Sequence, residues 1–331
     1  MASFIVTGGA GFIGSEFVRL ISSLNHQVVV LDSMTYAGDL DRILNLSNVH
    51  VLQTDILDIN EVSNEIANIF SNGSETYLVN FAAESHVDRS IASGFNFYKT
   101  NVLGTQVLLE FASRMRLRKF VQVGTDEVYG SLLSGEADEN YPIETNSAYS
   151  ASKAGADLAV LAHFKTHGLN INITRACNTY GKYQYPEKLI PRSIVLSLSN
   201  LPIEIYGNGK QVREWITVED HALGILKVCE SGVAGEIYNL GTGTRLSNIE
   251  LVTSLASLME ESGLKPSISF VNDRPGHDVR YSLNSDKARK DLNWNPEGFS
   301  AQSLKSTLTW YLENEKWWKK HLSDSERISY K

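Results

Sequence analysis

The segment Thr7-Gly8-Gly9-Ala10-Gly11-Phe12-Ile13-Gly14 lies between the apolar run Phe4-Ile5-Val6 and an amphipathic stretch from Phe12 to Ser22, and it constrains the fold more than any other feature. Glycines 8, 11 and 14 permit a tight strand-to-helix turn, close approach of backbone to a phosphate, and packing of helix on strand, while the helix N-terminus attracts anions. The following strand, Gln27 to Leu31, ends at Asp32, where a carboxylate suits an adenosine ribose and repels a 2′-phosphate. Together they predict a dinucleotide site that takes NAD rather than NADP, with Phe12 and Ile13 in the phosphate turn and Ser33, Met34 and Thr35 after Asp32. Asp55-Ile56 closes the third strand; these residues are placed to clasp adenine, and Asp55 reads equally well as a strand-end cap.

Short apolar runs go on alternating with amphipathic segments. Val49-His50-Val51-Leu52 is followed by a helix around Glu61 to Phe70, Tyr77 to Phe81, a helix from Val102 to Arg114, and Phe120-Val121-Gln122-Val123. This alternation predicts an α/β fold, a doubly wound parallel sheet (Rossmann) with a smaller α/β substrate lobe. Pro186, Pro191, Pro202, Pro266, Pro275 and Pro296 punctuate the second half, against Pro142 alone before residue 180. The shift marks a lobe with long binding loops. The expected division gives residues 1–180 and 214–242 to the dinucleotide domain and 181–213 and 243–331 to the second lobe.

The net charge of −8 and pI near 5.5 argue against a sequence-independent grip on nucleic acid. No apolar run approaches the roughly 18 residues of a membrane span, and Met1-Ala2-Ser3 runs straight into the first strand, leaving no room for a signal peptide. Cys177 and Cys229 show no metal-ligand spacing and read as apolar fillers in a reducing cytoplasm; the sequons at Asn45, Asn72 and Asn172 then read as chance. His86 with Asp88 lacks a third ligand or nucleophile, so no metal is expected. Trp310, Trp317 and Trp318 among Lys and Glu predict an aromatic packing stripe rather than a membrane-surface helix.

Chemistry concentrates between residues 125 and 153. Tyr149 and Lys153, four apart on a predicted helix, share one face, so an ammonium can lower a phenol's pKa and make it a base near neutrality. Thr125-Asp126-Glu127 adds a hydroxyl and two carboxylates, one more acid/base pair than hydride transfer needs. Eliminating water beside a ketone requires one base and one acid held close, and neighbouring carboxylates can have their pKa values pushed apart. Adjacent residues in a strand point to opposite faces, so Asp126 and Glu127 converge only if the backbone bends after Thr125, which Gly124 and Gly130 allow.

With these residues the chain resembles the extended short-chain dehydrogenase/reductases that act on nucleotide sugars. Phe81-Ala82-Ala83-Glu84-Ser85-His86-Val87-Asp88-Arg89-Ser90, Thr125-Asp126-Glu127-Val128-Tyr129-Gly130, Tyr185-Pro186-Glu187-Lys188-Leu189-Ile190-Pro191 and Asp273-Arg274-Pro275-Gly276-His277 are similar to the 4,6-dehydratase branch of that family. The resemblance implies dTDP-linked glucose as substrate; UDP-glucose, 4-epimerisation and a non-catalytic NAD-binding sensor are the alternatives. It implies that Tyr149, helped by Lys153 and Thr125, takes the C4 hydroxyl proton as hydride passes to NAD⁺. Glu127 then removes the C5 proton, Asp126 protonates the departing C6 hydroxyl, and hydride returns to C6.

By the same resemblance Phe81, Ala82, Ala83, Ser85, Thr100 and Thr179 join the cofactor site. Ser85, Thr125, Asn178, Lys188, Leu189, Tyr206, Asn248 and His277 hold the nucleotide sugar, and Arg213 and Arg274 meet its diphosphate. Where the family commonly shows Ser-Asn-Asn-Tyr-Gly-Pro, this chain has Cys177-Asn178-Thr179-Tyr180-Gly181-Lys182. Helices near 102–114 and 147–166 carry apolar positions beyond what one sheet face needs, and the family pairs such helices across a two-fold axis, implying a homodimer.

Overall fold

The computed structural model of the chain describes residues 2–70, 75–273 and 276–322. Seven strands form one sheet in the order β10-β6-β5-β4-β1-β2-β3, all neighbours parallel. They are β1 (Ser3–Thr7), β2 (Gln27–Asp32), β3 (Val49–Gln53), β4 (Thr76–Asn80), β5 (Lys119–Thr125), β6 (Ile171–Ala176) and β10 (Ile237–Leu240). The chain reverses its direction of winding between β1 and β4, which opens a crevice at the C-terminal strand ends.

Strand side chains alternate between two apolar layers. Phe4, Val6, Val28, Val30, Val79 and Val121 join one cluster, and Ile5, Val29, Leu31, Leu78 and Phe120 the other. A sheet covered on both faces needs apolar residues at successive positions, which explains the near-continuous runs of the sequence. The first face is covered by α1 (Phe12–Ser23) and α8 (Val218–Ser231). The second is covered by α2 (Ser63–Ile69), α5 (Thr105–Arg114) and α6 (Ala148–His167). Two short helices, α3 (Val87–Ala92) and α4 (Phe95–Phe97), lead into a π-helical stretch over Tyr98–Gly104, so the helix expected from Val102 starts earlier and widens before α5.

The second lobe contains α7 (Leu189–Leu198), α9 (Asn248–Glu261), α11 (Ala301–Glu313) and α12 (Glu315–Lys320), packed around Tyr180, Trp215, Leu251, Leu304, Tyr311, Trp317 and Trp318. The Trp-rich end is thus a packing element, as its mixed charges suggested. Two small sheets complete the lobe: β11 (Arg245–Ser247) with β9 (Val212–Thr217) and β7 (Asn178–Tyr180), and β12 (Ile268–Val271) with β8 (Ile203–Tyr206). Helix α10 (Asp286–Leu292) and Trp294 belong instead to the core of the large sheet, where Ala288, Leu292 and Trp294 are buried with Leu226 and Leu240. Among the described residues no helix is long and apolar enough to cross a membrane.

Candidate active site

The glycine turn joins β1 to α1 at the crevice. Gly8, at φ +66°, brings its α-carbon so close to the chain after β4 that a Cβ would lie 2.7 Å from Ala82 N. Gly11 caps α1 without a side-chain hydrogen bond, leaving the first-turn amides for a ligand, and Gly11, Phe12, Ile13 and Gly14 line a cavity of about 550 Å³. Asp32 accepts Ala10 N–H at 3.0 Å and Met34 N–H at 2.9 Å, and burial raises its pKa. These features fit a dinucleotide: bare helix amides for its phosphates and a fixed carboxyl for a ribose. Ser33 and Thr35 also line the cavity, whereas Met34, at φ +55°, does not form part of its wall. Asp55 does both things the sequence left open, capping the next turn through Leu57 N–H at 3.0 Å and lining the cavity with Ile56.

The opposite wall carries the residues expected to take acid/base roles. β5 ends at Thr125, and Asp126–Tyr129 form one 3₁₀ turn, the bend that two adjacent carboxylates require. Thr125 Oγ1 caps it by accepting Glu127 N–H at 3.3 Å. At Gly130 the chain leaves at φ +68°, and a Cβ there would collide with the Glu144 carbonyl oxygen. Ser147 starts α6 with a capping box through Ser150, which sets Tyr149 and Lys153 on the helix face beside β5. Thr125, Asp126, Glu127, Tyr149 and Lys153 all line the cavity.

Burial dominates the electrostatics. It raises the Asp126 pKa well above the carboxylate range, with Glu127 and Glu214 adding to the effect and Arg213 and Thr125 opposing it. Asp126 Oδ2 has no hydrogen-bond partner. The Tyr149 phenol is also pushed up, by burial first and Glu127 next, while a hydrogen bond with Thr125 pulls it down. The spacing with Lys153 predicts a lowered phenol; burial instead sets it above its ordinary value. The Lys153 ammonium donates to Val123 O at 2.6 Å, and burial brings its pKa down to about 8 against the pull of Asp157. Asp157, one helical turn further along α6, pairs with Arg175 at 2.9 Å, both fully buried.

The remaining expected residues fall into two groups. Phe81, Ala82, Ala83, Ser85, Thr100, Asn178, Thr179, Lys188 and Leu189 line the cavity. Tyr206, Arg213, Asn248 and His277 do not. Three of these gather around another centre: Tyr206 lies edge-on to His277 at 6.3 Å, His277 pairs with Asp273 at 2.6 Å, Gln211 donates to Asp273 at 2.8 Å, and Asn248 N–H bonds Gln211 O at 3.0 Å. Arg213 donates to Val212 O and Asp278 O and stacks 4.2 Å over Tyr281, so its fork is engaged with its own chain while its charge bears on Asp126. Arg274 lies outside the described residues.

Several wall residues carried no recognisable motif. Tyr36, Arg42, Gln184, Trp215 and His221 line the cavity from segments that are distant in sequence, and Glu187, inside the Tyr185–Pro191 motif but given no role there, joins them. His221 contacts Thr179 Oγ1 through Nδ1 at 2.9 Å, and burial drops its pKa to about 3, so the imidazole is neutral. Glu187 accepts from Tyr36 at 3.4 Å and lies 3.3 Å from His86, which gives His86 a structural part. Among the described residues no group of His, Cys, Asp or Glu is arranged to hold a metal.

Comparison with known proteins sets this geometry in a family. The family model described as GDP-mannose 4,6 dehydratase matches residues 5–307. A dTDP-glucose 4,6-dehydratase of Streptomyces niveus is 45% identical over 332 residues, covering 97% of this chain and 96% of the relative. The DesIV dTDP-glucose 4,6-dehydratase of Streptomyces venezuelae, solved with NAD and dTDP bound, superposes with a TM-score of 0.90 at 43% identity, covering 97% of this chain and all of that one. A UDP-glucose 4-epimerase of Thermus thermophilus, in complex with NAD, gives a TM-score of 0.86 at 25% identity, covering 95% of this chain and all of that one.

Proposed function

The chain belongs to the GDP-mannose 4,6-dehydratase family, and on that premise we infer that it dehydrates dTDP-glucose to dTDP-4-keto-6-deoxy-glucose with NAD as cofactor. The observation that carries the reading is the Asp126–Glu127 turn. A carboxyl whose pKa burial raises well above its ordinary value stands next to a second carboxyl, in the same cavity as Tyr149 and Lys153.

NAD⁺ when bound takes up and returns the hydride and adds a positive charge to the cavity. The first-turn amides of Phe12, Ile13 and Gly14 would hold its phosphates and Asp32 a ribose. Tyr149 removes the C4 hydroxyl proton; the Thr125 hydrogen bond, the Lys153 ammonium and the charge that NAD⁺ would add favour its phenolate against the burial that raises the phenol. Once C4 is a ketone the C5 proton is acidic, and Glu127 removes it. Asp126 arrives at this step already protonated and delivers that proton to the C6 oxygen, so water departs without a hydroxide ion forming in a dry site. Glu127 reprotonates C5 as C6 is reduced, and no external reductant is consumed.

The second lobe, from 181–213 and from 243 onward, receives the nucleotide sugar in this reading, with residues 283–294 attached to the sheet side. Phe95, Tyr98, Leu103 and Leu158 are exposed on α4, the π-helical stretch and α6, a face suited to a homodimer. The free, buried Cys177 and Cys229 fit a cytoplasmic setting. Purified protein is to be incubated separately with dTDP-glucose and UDP-glucose and the 4-keto product followed. Conversion of dTDP-glucose supports the assignment; a C4 epimer as the sole product overturns it.

A further inference from the structure

Asp39 is not part of the cavity wall, yet it ties the wall to the far end of the chain. Its carboxylate, 8% exposed, accepts Trp317 Nε1–H at 2.7 Å and Asp41 N–H at 3.1 Å. It also pairs with Lys320 at 2.9 Å and His321 at 3.0 Å. Burial pushes this carboxyl up, but the hydrogen bonds from Lys320, Asp41 and His321 outweigh it and leave the group below its usual value. The Asp39 N–H bonds Ala10 O at 3.0 Å, Arg42 Nη1 reaches the same carbonyl at 2.8 Å, and Ala10 N–H is one of the two donors that fix Asp32. A continuous chain of hydrogen bonds thus runs from α12 to the carboxyl assigned to the ribose.

Tyr311 on α11, His321 just past α12, and Arg42 hold the facing segment. Tyr185 donates to His321 O at 2.8 Å, Tyr311 donates to Gln184 O, and Arg42, whose guanidinium lies 5.3 Å from the Trp317 ring, donates to Tyr183 O at 3.1 Å. Tyr36, Ala37, Gly38 and Arg42 from one segment, and Gln184, Tyr185 and Glu187 from the other, line the cavity. The two segments meet at the Tyr36–Tyr185 edge contact of 5.3 Å.

We propose that Asp39 is a positioning residue for the cofactor: through Trp317, Lys320 and His321 it lets α12 latch the 33–42 segment against the 183–187 segment and so slows release of the dinucleotide. A segment ordered in advance does not have to be ordered on binding. If loss of the latch leaves the closed arrangement populated one part in ten, apparent affinity falls about tenfold with the intrinsic contacts unchanged. The inference rests on the NAD reading, and the experiment keeps the two apart.

Asp39→Asn and Trp317→Phe are to be compared with wild type and with Lys319→Gln, which loses the exposed Glu315–Lys319 pair and the Lys319–Trp318 ring contact on the same helix but none of the partners of Asp39. NAD is stripped and re-bound; its affinity is measured by calorimetry and its release by stopped-flow fluorescence. Both variants are expected to release NAD about tenfold faster, with kcat at saturating NAD within about twofold of wild type and activity restored by excess NAD. Release rates equal to those of Lys319→Gln in folded Asp39→Asn or, should that variant not fold, in Trp317→Phe overturn the latch. Failure of the wild type to bind NAD would instead overturn the cofactor reading.

Discussion

Replacing Asp126 by Asn exchanges one oxygen for an amide nitrogen, keeps the shape of the turn, and removes the proton on which the dehydration step depends. In the native protein the pKa of this carboxyl is raised well above its ordinary value, because burial, Glu127 and Glu214 outweigh Arg213 and Thr125, and the upward shift favours the protonated form. In the unfolded chain it titrates near the ordinary value of about 3.9. Between the two pKa values the native state binds one proton more than the unfolded state, so wild-type stability falls as pH rises, by about 1.4 kcal/mol per pH unit. The Asn variant has no such proton and lacks this slope. Urea unfolding of both proteins between about pH 5 and pH 7 should therefore show the variant gaining on wild type by about 1.4 kcal/mol per unit until the native carboxyl ionises. In turnover the variant should still oxidise C4, because Tyr149 and Lys153 are untouched. Loss of the C6 hydroxyl should slow by about 10²- to 10⁴-fold, roughly 3 to 5 kcal/mol of barrier. Parallel stability profiles together with near-normal dehydration would show that Asp126 is neither held protonated nor used as the acid.

Tyr149→Phe is expected to abolish the NADH absorbance transient in single turnover while nucleotide-sugar binding persists; a normal transient would place the base elsewhere. Glu127→Gln should accumulate bound NADH and a 4-keto-glucose intermediate and fail to take up solvent deuterium at C5, and product formation near the wild-type rate would contradict its role. Reconstitution of stripped protein should need at least about tenfold more NADP than NAD, because a 2′-phosphate would meet the carboxyl that Ala10 and Met34 hold in place. Equal activation by the two cofactors would remove Asp32 from that role.

The large sheet was legible because its strands are buried on both faces and its connections are regular: β1, β2, β4 and β5 fall within a residue or two of the apolar runs that announced them. The small sheets were not, since β7 and β11 have three residues each, too few for a period to register. At the site, the glycine turn and the Tyr149–Lys153 spacing could be read because they are local patterns. The bend that unites Asp126 with Glu127 was required by the chemistry and permitted by Gly124 and Gly130, but its form, a 3₁₀ turn capped by Thr125, came only with the structure. Spacing suggested that Lys153 would lower the Tyr149 phenol, and it missed the depth of burial that raises it. Arg42, Trp215 and His221 reach the cavity through long-range packing, for which a single sequence carries no signal.

The 3₁₀ turn over Asp126–Tyr129 also bears on how such a protein is assembled over evolutionary time. Its backbone scaffold superposes on that of a sugar epimerase with a TM-score of 0.86 at 25% identity, whereas both carboxylates assigned to the elimination sit side by side on one turn at the end of one strand. In the proposed mechanism oxidation and elimination occupy separable pieces of the chain: α6 holds Tyr149 and Lys153, proposed for the first, and the turn after Thr125 holds Asp126 and Glu127, proposed for the second. A lineage could gain or shed the dehydration step by exchanging that turn alone, keeping the cofactor cradle and the hydride chemistry as its inheritance. Because the turn is fixed by a threonine cap before it and a left-handed glycine after it, such an exchange would have to bring its flanks along, making the segment from Thr125 to Gly130 the natural unit of innovation.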